Sequence, residues 1–242
     1  MSTLETKKIE PLSGTSVTLG AAGDAVTMPA GVTVKTNTVK DAGGNTLWTS
    51  DGSGTLSSVN SALQGNMIFI SSQTASSSSS IEITSGIDST YDEYVFYFVN
   101  MHPGADGKDF LCNFSTDGGS SYGLTKTTTA FVAEQDESGS STSLAYWGGG
   151  DLAQSTNPVA LSAATGSDND QCVSGCLHLY SPSSTTYVKH FQFTSNNASH
   201  TNYSRHLFGA GYINTTTAVN AVKFTFQETN IDDGNIYMYG IR

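Results

Sequence analysis

The stretch "AVKFTFQE", Ala221–Glu228, decides the fold class. Val222, Phe224 and Phe226 fall on one side of an extended chain, and Lys223, Thr225 and Gln227 on the other. Side chains alternate across a strand, so a period of two marks a half-buried strand of an antiparallel sheet. Working outward, strand-like segments recur from Met67 onward: "MIFIS", "IEIT", "DFLCNF", "YGLTKTTTAFVAE", "SLAYW", "PVALSA", "CLHLYS", "TYVKHFQFTS", "LFGAGYI" and "NIYMYGI". They come about a dozen residues apart with no helical period between them, the pattern of an antiparallel β-sandwich. Residues 65–242 are therefore expected to form one sandwich, and a length of about 175 residues suits a jelly-roll-like arrangement. "EYVFYFVN", Glu93–Asn100, is apolar on both sides. It is expected to be covered on both faces, with a neighbouring subunit as one candidate cover.

Residues 1–64 read differently. Trp48 is their single aromatic, and turn signals such as "GAAGD", "DAGGN" and "DGSG" fall every 6–10 residues. This is a train of very short strands. The apolar side chains of "SGTSVTLGAAGDAVTMPAGVTV", Ser13–Val34, are few: Val17, Leu19, Val26, Met28, Val32 and Val34. Covering each contributes about 1–3 kcal/mol. Ordering some 50 residues costs about 1–2 kcal/mol apiece. One chain cannot close that gap, so these six residues are expected to form an oligomerisation or docking surface, sheltered by other copies in a stalk or attachment arm.

Composition narrows the function. Charged residues are 13% of the 242, about half the usual share, and polarity comes from Ser and Thr, about a quarter of the chain. With 25 Gly, this is strand-and-turn material. The net charge is −11, and Arg occurs only as Arg205 and Arg242. Nucleic-acid binding, which needs basic patches, is not expected. The opening "MSTLETKKIEPLSG" has no apolar segment after its basic pair, so no signal peptide is expected. The run "YVFYFV", Tyr94–Val99, is far short of the ~20 residues of a membrane helix, so no membrane insertion is expected. Cys172 and Cys176 are four apart, about 13 Å along a strand. A disulfide spans about 7 Å at most between Cα atoms, so they and Cys112 are expected to be free thiols.

Motifs that could carry chemistry are sparse. "STDGGSSYG", Ser115–Gly123, resembles the Asp-box, a structural turn of sialidase-type propellers, and is expected to make a hairpin between "DFLCNF" and "YGLTKT". Cys172, Cys176 and His178 share a strand face, but they lie in a line rather than around a centre. Asp168 and Asp170, and Asp232 and Asp233, place carboxylates in loops without the remaining calcium-loop pattern. Glu82, Glu93, Glu134 and Glu228 lie on or near strands, and the sequence does not pair them across a cleft. No nucleophile-elbow, zinc-helix or phosphate-loop pattern occurs. The expectation is no catalytic residue, no metal and no cofactor. Tyr122, Tyr146, Trp147 and Tyr203 are the candidate glycan contacts, as aromatics placed in loops.

The segment "KKIEPLSGTSVTLGAAGDAVTMPAGVTVKTNTVKDAGGNTLWTSDGSG", Lys7–Gly54, resembles the N-terminal parts of small structural proteins of tailed bacteriophages, particularly marine and cyanobacterial ones. "SGIDSTYDEYVFYFVNMHP", "STDGGSSYG", "GDLAQSTNP" and "YSPSSTTYVKHF" resemble the C-terminal domains of the same proteins. The resemblance implies a non-enzymatic virion protein made in the host cytoplasm, usually homotrimeric, with an attachment part and a β-sandwich head. Its expected role is a tail fibre or similar appendage, partnered by itself, by other virion proteins and by a host surface glycan. A capsid decoration protein is the alternative, and a carbohydrate-binding module or glycan hydrolase a further one.

Overall fold

The computed structural model describes residues 30, 35–60, 63 and 65–242. The candidate docking residues Val17, Leu19, Val26, Met28, Val32 and Val34 lie outside the described residues, as does the "GAAGD" turn. The described residues contain no α-helix. The chain divides into two compact units, with the boundary between Leu63 and Gln64.

In the first unit, β1 (Thr38–Lys40), β2 (Thr46–Ser50) and β3 (Leu56–Val59) form a three-stranded antiparallel meander. Aspartates build both turns. Asp41 Oδ1 accepts the Asn45 backbone N–H at 2.8 Å, and Asp51 Oδ1 accepts those of Ser53 and Thr55 at 2.8 and 3.2 Å. A side-chain oxygen there replaces a strand partner that a tight turn cannot supply.

The second unit is an antiparallel sandwich of two unequal sheets. Its strands are β4 (Met67–Thr74), β5 (Ile81–Ile83), β6 (Glu93–Pro103), β7 (Phe110–Ser115), β8 (Lys126–Asp136) and β9 (Thr142–Tyr146), followed by β10 (Val159–Ala160), β11 (Val173–Tyr180), β12 (Lys189–Ala198), β13 (Tyr203–Ile213), β14 (Ala221–Phe226) and β15 (Ile231–Ile241). The large sheet runs β4-β15-β6-β11-β12-β13-β8-β9, and the small one β10-β7-β14-β5.

The alternation in "AVKFTFQE" sets how the sheets meet. Val222, Phe224 and Phe226 are buried, while Lys223 on the opposite face pairs with Glu82 of β5 at 3.0 Å. Three ring pairs cross the interface: Phe98–Phe110 at 5.3 Å, Phe96–Phe224 at 5.9 Å and Phe114–Phe191 at 5.2 Å. Phe110 is the hub, also contacting Phe224 at 5.9 Å and Phe226 at 5.1 Å. "EYVFYFVN" turns Tyr94, Phe96 and Phe98 into this core. Its outer side is covered only in part: Val95 is 1% exposed with no second chain needed to cover it, whereas Val99 is 37% exposed. The strand is central in the large sheet, and Val95 sits between Tyr239 of β15 and His178 of β11.

One side of the sandwich is closed by residues 159–165. The Leu161 backbone N–H donates to Phe110 O, Phe110 N donates to Ser162 Oγ, and Ser195 Oγ of the large sheet donates to Leu161 O. The segment thus fastens both layers. Two lysines are fully buried. Lys126 on β8 reaches across to the small sheet, donating to Asn113 Oδ1 at 2.7 Å and Leu124 O at 2.6 Å. Lys189 donates to Tyr187 O and Thr215 O. Burial pulls the Lys126 amine down to about 8 and lowers that of Lys189. Cys112, Cys172 and Cys176 are free, and burial lifts the Cys112 thiol to about 12.

Replacing Phe110 with Ala is expected to cost about 3–5 kcal/mol, because the hub would leave a cavity both sheets share. Urea unfolding monitored by Trp fluorescence measures it. Lys126→Met is expected to destabilise by about 1–3 kcal/mol at pH 7 by leaving buried oxygens unpaired. Below pH 8 the amine is protonated folded and unfolded alike. Between about 8 and 10.5 only the unfolded chain holds that proton, so raising the pH favours the folded wild type. The stability difference between wild type and Lys126→Met should therefore widen over that window.

Candidate functional site

The Asp-box-like segment folds around one carboxylate. Asp117 Oδ1 accepts the Ser115 hydroxyl at 2.6 Å and the Ser121 N–H at 2.9 Å, and Oδ2 accepts the Ser121 hydroxyl at 2.7 Å. The Ser115 hydroxyl oxygen also accepts the N–H groups of Asp117 and Gly119. Gly118 and Gly119 take φ of 71° and 91°, and a Cβ on Gly119 would meet Thr84 and Tyr122 at 2.8 Å, so glycine is required there. The expected hairpin is corrected: β7 lies in the small sheet and β8 in the large one, so the turn is an arch joining the layers. The Ser115 and Ser121 bonds hold the Asp117 carboxyl down at about 2.

This arch occupies the first candidate glycan contact. Tyr122 donates to Glu82 Oε2 at 3.3 Å and lies under Lys223, 5.3 Å from its ring. Burial, with the Glu82 charge adding, pushes its hydroxyl up to about 12. Trp147 packs against the core, close over Gly150. Tyr203 is half-buried beneath the Arg205 guanidinium at 5.7 Å. Tyr146 stands free at 62% exposure, its hydroxyl on Asp151 at 3.0 Å. The four do not converge. On β8, Tyr146 is opposite Phe131 and Tyr203 opposite Asp136, five residues or about 16 Å further along.

A different set of aromatics does converge, on the outer face of the large sheet. Strand register lines up Tyr237, Tyr97, Cys176, Thr194, Phe208, Phe131 and Tyr146 in one row across seven strands. Phe131 and Phe208 stack at 5.0 Å and 15°, and His206 lies 4.0 Å from Phe208. His178 stacks with Tyr180, and His190 packs on Tyr212. Between these groups the face dips. Two adjoining depressions of about 430 and 420 Å³ share the floor residues Thr129, Gln192 and Ala210. The signal was present in "CLHLYS" and "TYVKHFQFTS", whose outward positions are His178, Tyr180, His190 and Gln192. What could not be read was which strands would stand beside them.

Two constellations beside this face have the right residue types for chemistry. Cys176 Sγ is 3.6 Å from His178 Nε2, and His178 Nδ1 is 2.6 Å from Glu93 Oε1. A thiol, an imidazole and an orienting carboxylate thus stand in order. Burial nevertheless raises the Cys176 thiol, holding its proton on sulfur. The neighbouring N–H groups are spent in the β11 ladders with β6 and β12, so none is aimed at a developing oxyanion. Asp232 and Asp233 lie at the start of β15 rather than in the expected loop, and with Asp170 they line a depression that also holds His102 and Cys172. Among the described residues no three His, Cys, Asp or Glu side chains converge as a metal site. No described helix is long and apolar enough to cross a membrane.

Comparison with protein-family models, with curated proteins and with solved structures gives no match.

Asp117→Ala is expected to lower the melting temperature at pH 7. The carboxylate is charged in the folded chain down to about pH 2 but only to 3.8 when unfolded, so its contribution fades as pH falls through that interval. Melting curves of both proteins from pH 7 to pH 2 should converge at the acid end.

Proposed function

We propose that this chain is a non-enzymatic structural protein of a tailed-phage particle, a homotrimeric tail fibre or similar appendage. On this reading residues 1–64 provide attachment and trimer contacts. The sandwich is the displayed head, which meets a host surface through the outer face of its eight-stranded sheet.

The observation that carries the reading is that face. Phe131 is 47% exposed, Leu144 74% and Tyr146 62%, and they sit together on adjoining strands. A folded monomer gains nothing by presenting such a patch, and contiguous apolar surface of this kind marks a contact site. The absence of assembled oxyanion donors at Cys176 supports a non-catalytic role. The net charge of −11 suits a protein kept soluble at high copy number. The likeness of residues 7–54 to phage N-terminal segments supplies the virion assignment.

Light scattering of the full chain tests the assembly. The expected mass is three times the 25.4 kDa chain, falling to that of one truncated chain when residues 1–64 are removed; a truncated trimer would count against the stalk. A full chain running at the single-chain mass would sink the trimer. Labelling the protein in a reconstruction of the whole particle tests its place: a few dozen copies on the tail are expected, whereas hundreds on the shell would make it a decoration protein.

A further inference from the structure

We infer that the two adjoining depressions on the large sheet form one binding trough for a neutral oligosaccharide. The inference deepens the proposed head role and rests on it for its biological setting, but its physical argument is local.

The trough crosses β11, β12, β13 and β8. One flank is the Phe131–Phe208 stack, and the other is Tyr180 with His190 and Tyr212. Aromatic faces on both sides suit the C–H faces of pyranose rings. The floor is low because Ala210, the outward residue between the rings of Phe208 and Tyr212, carries only a methyl group opposite Gln192 and Thr129. Hydroxyl and amide groups of Thr127, Thr129, Thr194 and Gln192 line the same dip. They offer both donors and acceptors, as sugar hydroxyls require.

Charge selects the occupant. No Asp, Glu, Lys or Arg lines either depression, in a chain of net charge −11. An acidic glycan would meet the repulsive field of the whole protein with no Lys or Arg in the lining to offset it, only the His178 and His190 imidazoles. An apolar peptide would bury the Gln192 and Thr129 polar groups without partners. An uncharged, polyhydroxylated chain avoids both costs.

The test is saturation-transfer NMR and calorimetric titration of the full chain with maltotriose, chitotriose, lactose and sialyllactose. At least one neutral probe is expected to bind, and the sialylated one more weakly than lactose. Phe131→Ala and Gln192→Ala, both at exposed positions, should each weaken binding about tenfold with unchanged melting temperature. Tyr203→Ala should leave binding unchanged. No binding of any neutral probe, equal binding by the Phe131 and Gln192 variants, or preference for sialyllactose would overturn the trough. So would variants that change the assembly mass while no sugar binds, since the face would then be a contact between copies. A protein found on the particle that fails these tests loses the trough alone; one that binds sugar but is absent from the particle loses the virion role alone.

Discussion

The packing of Phe110 between the two sheets is the constraint on which the sandwich depends. Its ring meets Phe98 of the opposite layer and Phe224 and Phe226 of its own. Its backbone meanwhile bonds through both its N–H and its C=O to residues 161 and 162. The small sheet has half as many strands as the large one, so it cannot cover the large sheet's inner face. Irregular segments complete the layer. Leu161 and Val219 are buried in the core, and Leu124, Trp147 and Leu152 pack against it. Those segments must then hydrogen-bond to strands rather than to each other, as the Leu152–Thr128 and Ser155–Lys126 backbone pairs do. Fixing the hub therefore fixes the segment at 161–162 that closes this side of the core.

Burial of cations follows from the same lopsided geometry. Lys126 occupies an inward position of β8 where the small sheet's edge leaves carbonyls and Asn113 unsatisfied. A Lys ammonium brings three donors, enough for the acceptors around it, and the cost appears as a depressed pKa instead of a broken core. Lys189 plays the same part near Tyr187 and Thr215. Neither amine has a carboxylate beside it among the described residues, so they are solvated by backbone oxygens rather than paired.

Much of this was legible locally, because local rules decide it. The period of two in "AVKFTFQE" assigns Val222, Phe224 and Phe226 to the core without reference to any other strand. The Ser-x-Asp-x-Gly spacing of 115–119 specifies a turn because a short carboxylate side chain reaches its own neighbours' N–H groups. What stayed hidden depends on long-range placement. Whether Ser115–Gly123 joins neighbouring strands or spans two sheets depends on β14, about a hundred residues later, taking the place beside β7. The stacking of Phe131 on Phe208 needs β8 beside β13, and the alternation of each strand says only which way its ring points. Of the four aromatics expected in loops, Tyr146 ends β9 and Tyr203 opens β13, and only Tyr122 and Trp147 lie between strands; in either place, position along the chain does not tell anchor from platform. Glu82, Gly150 and Arg205 settle that, each by lying where the ring would otherwise be free. Val17, Leu19, Val26, Met28, Val32 and Val34 lie outside the described residues, so their covering is part of the proposed assembly.

A flat sheet face is a poor place for catalysis and a good one for weak, repeated contact. The strand that carries Cys176 and His178 is paired on both sides, with β6 and β12, so its N–H groups are engaged in the sheet rather than turned toward the face. Binding through stacking and neutral hydrogen bonds needs no such donors, but each contact stays modest because the face encloses a ligand only partly. A trimer would answer that limit through multivalency. Three heads held together turn the second and third encounters into intramolecular ones, which can raise the avidity by about 10²–10⁴ without any new contact. On the proposed reading, the attachment arm and the aromatic face are parts of one design. The arm fixes the heads at high local concentration, and that concentration makes shallow sites sufficient.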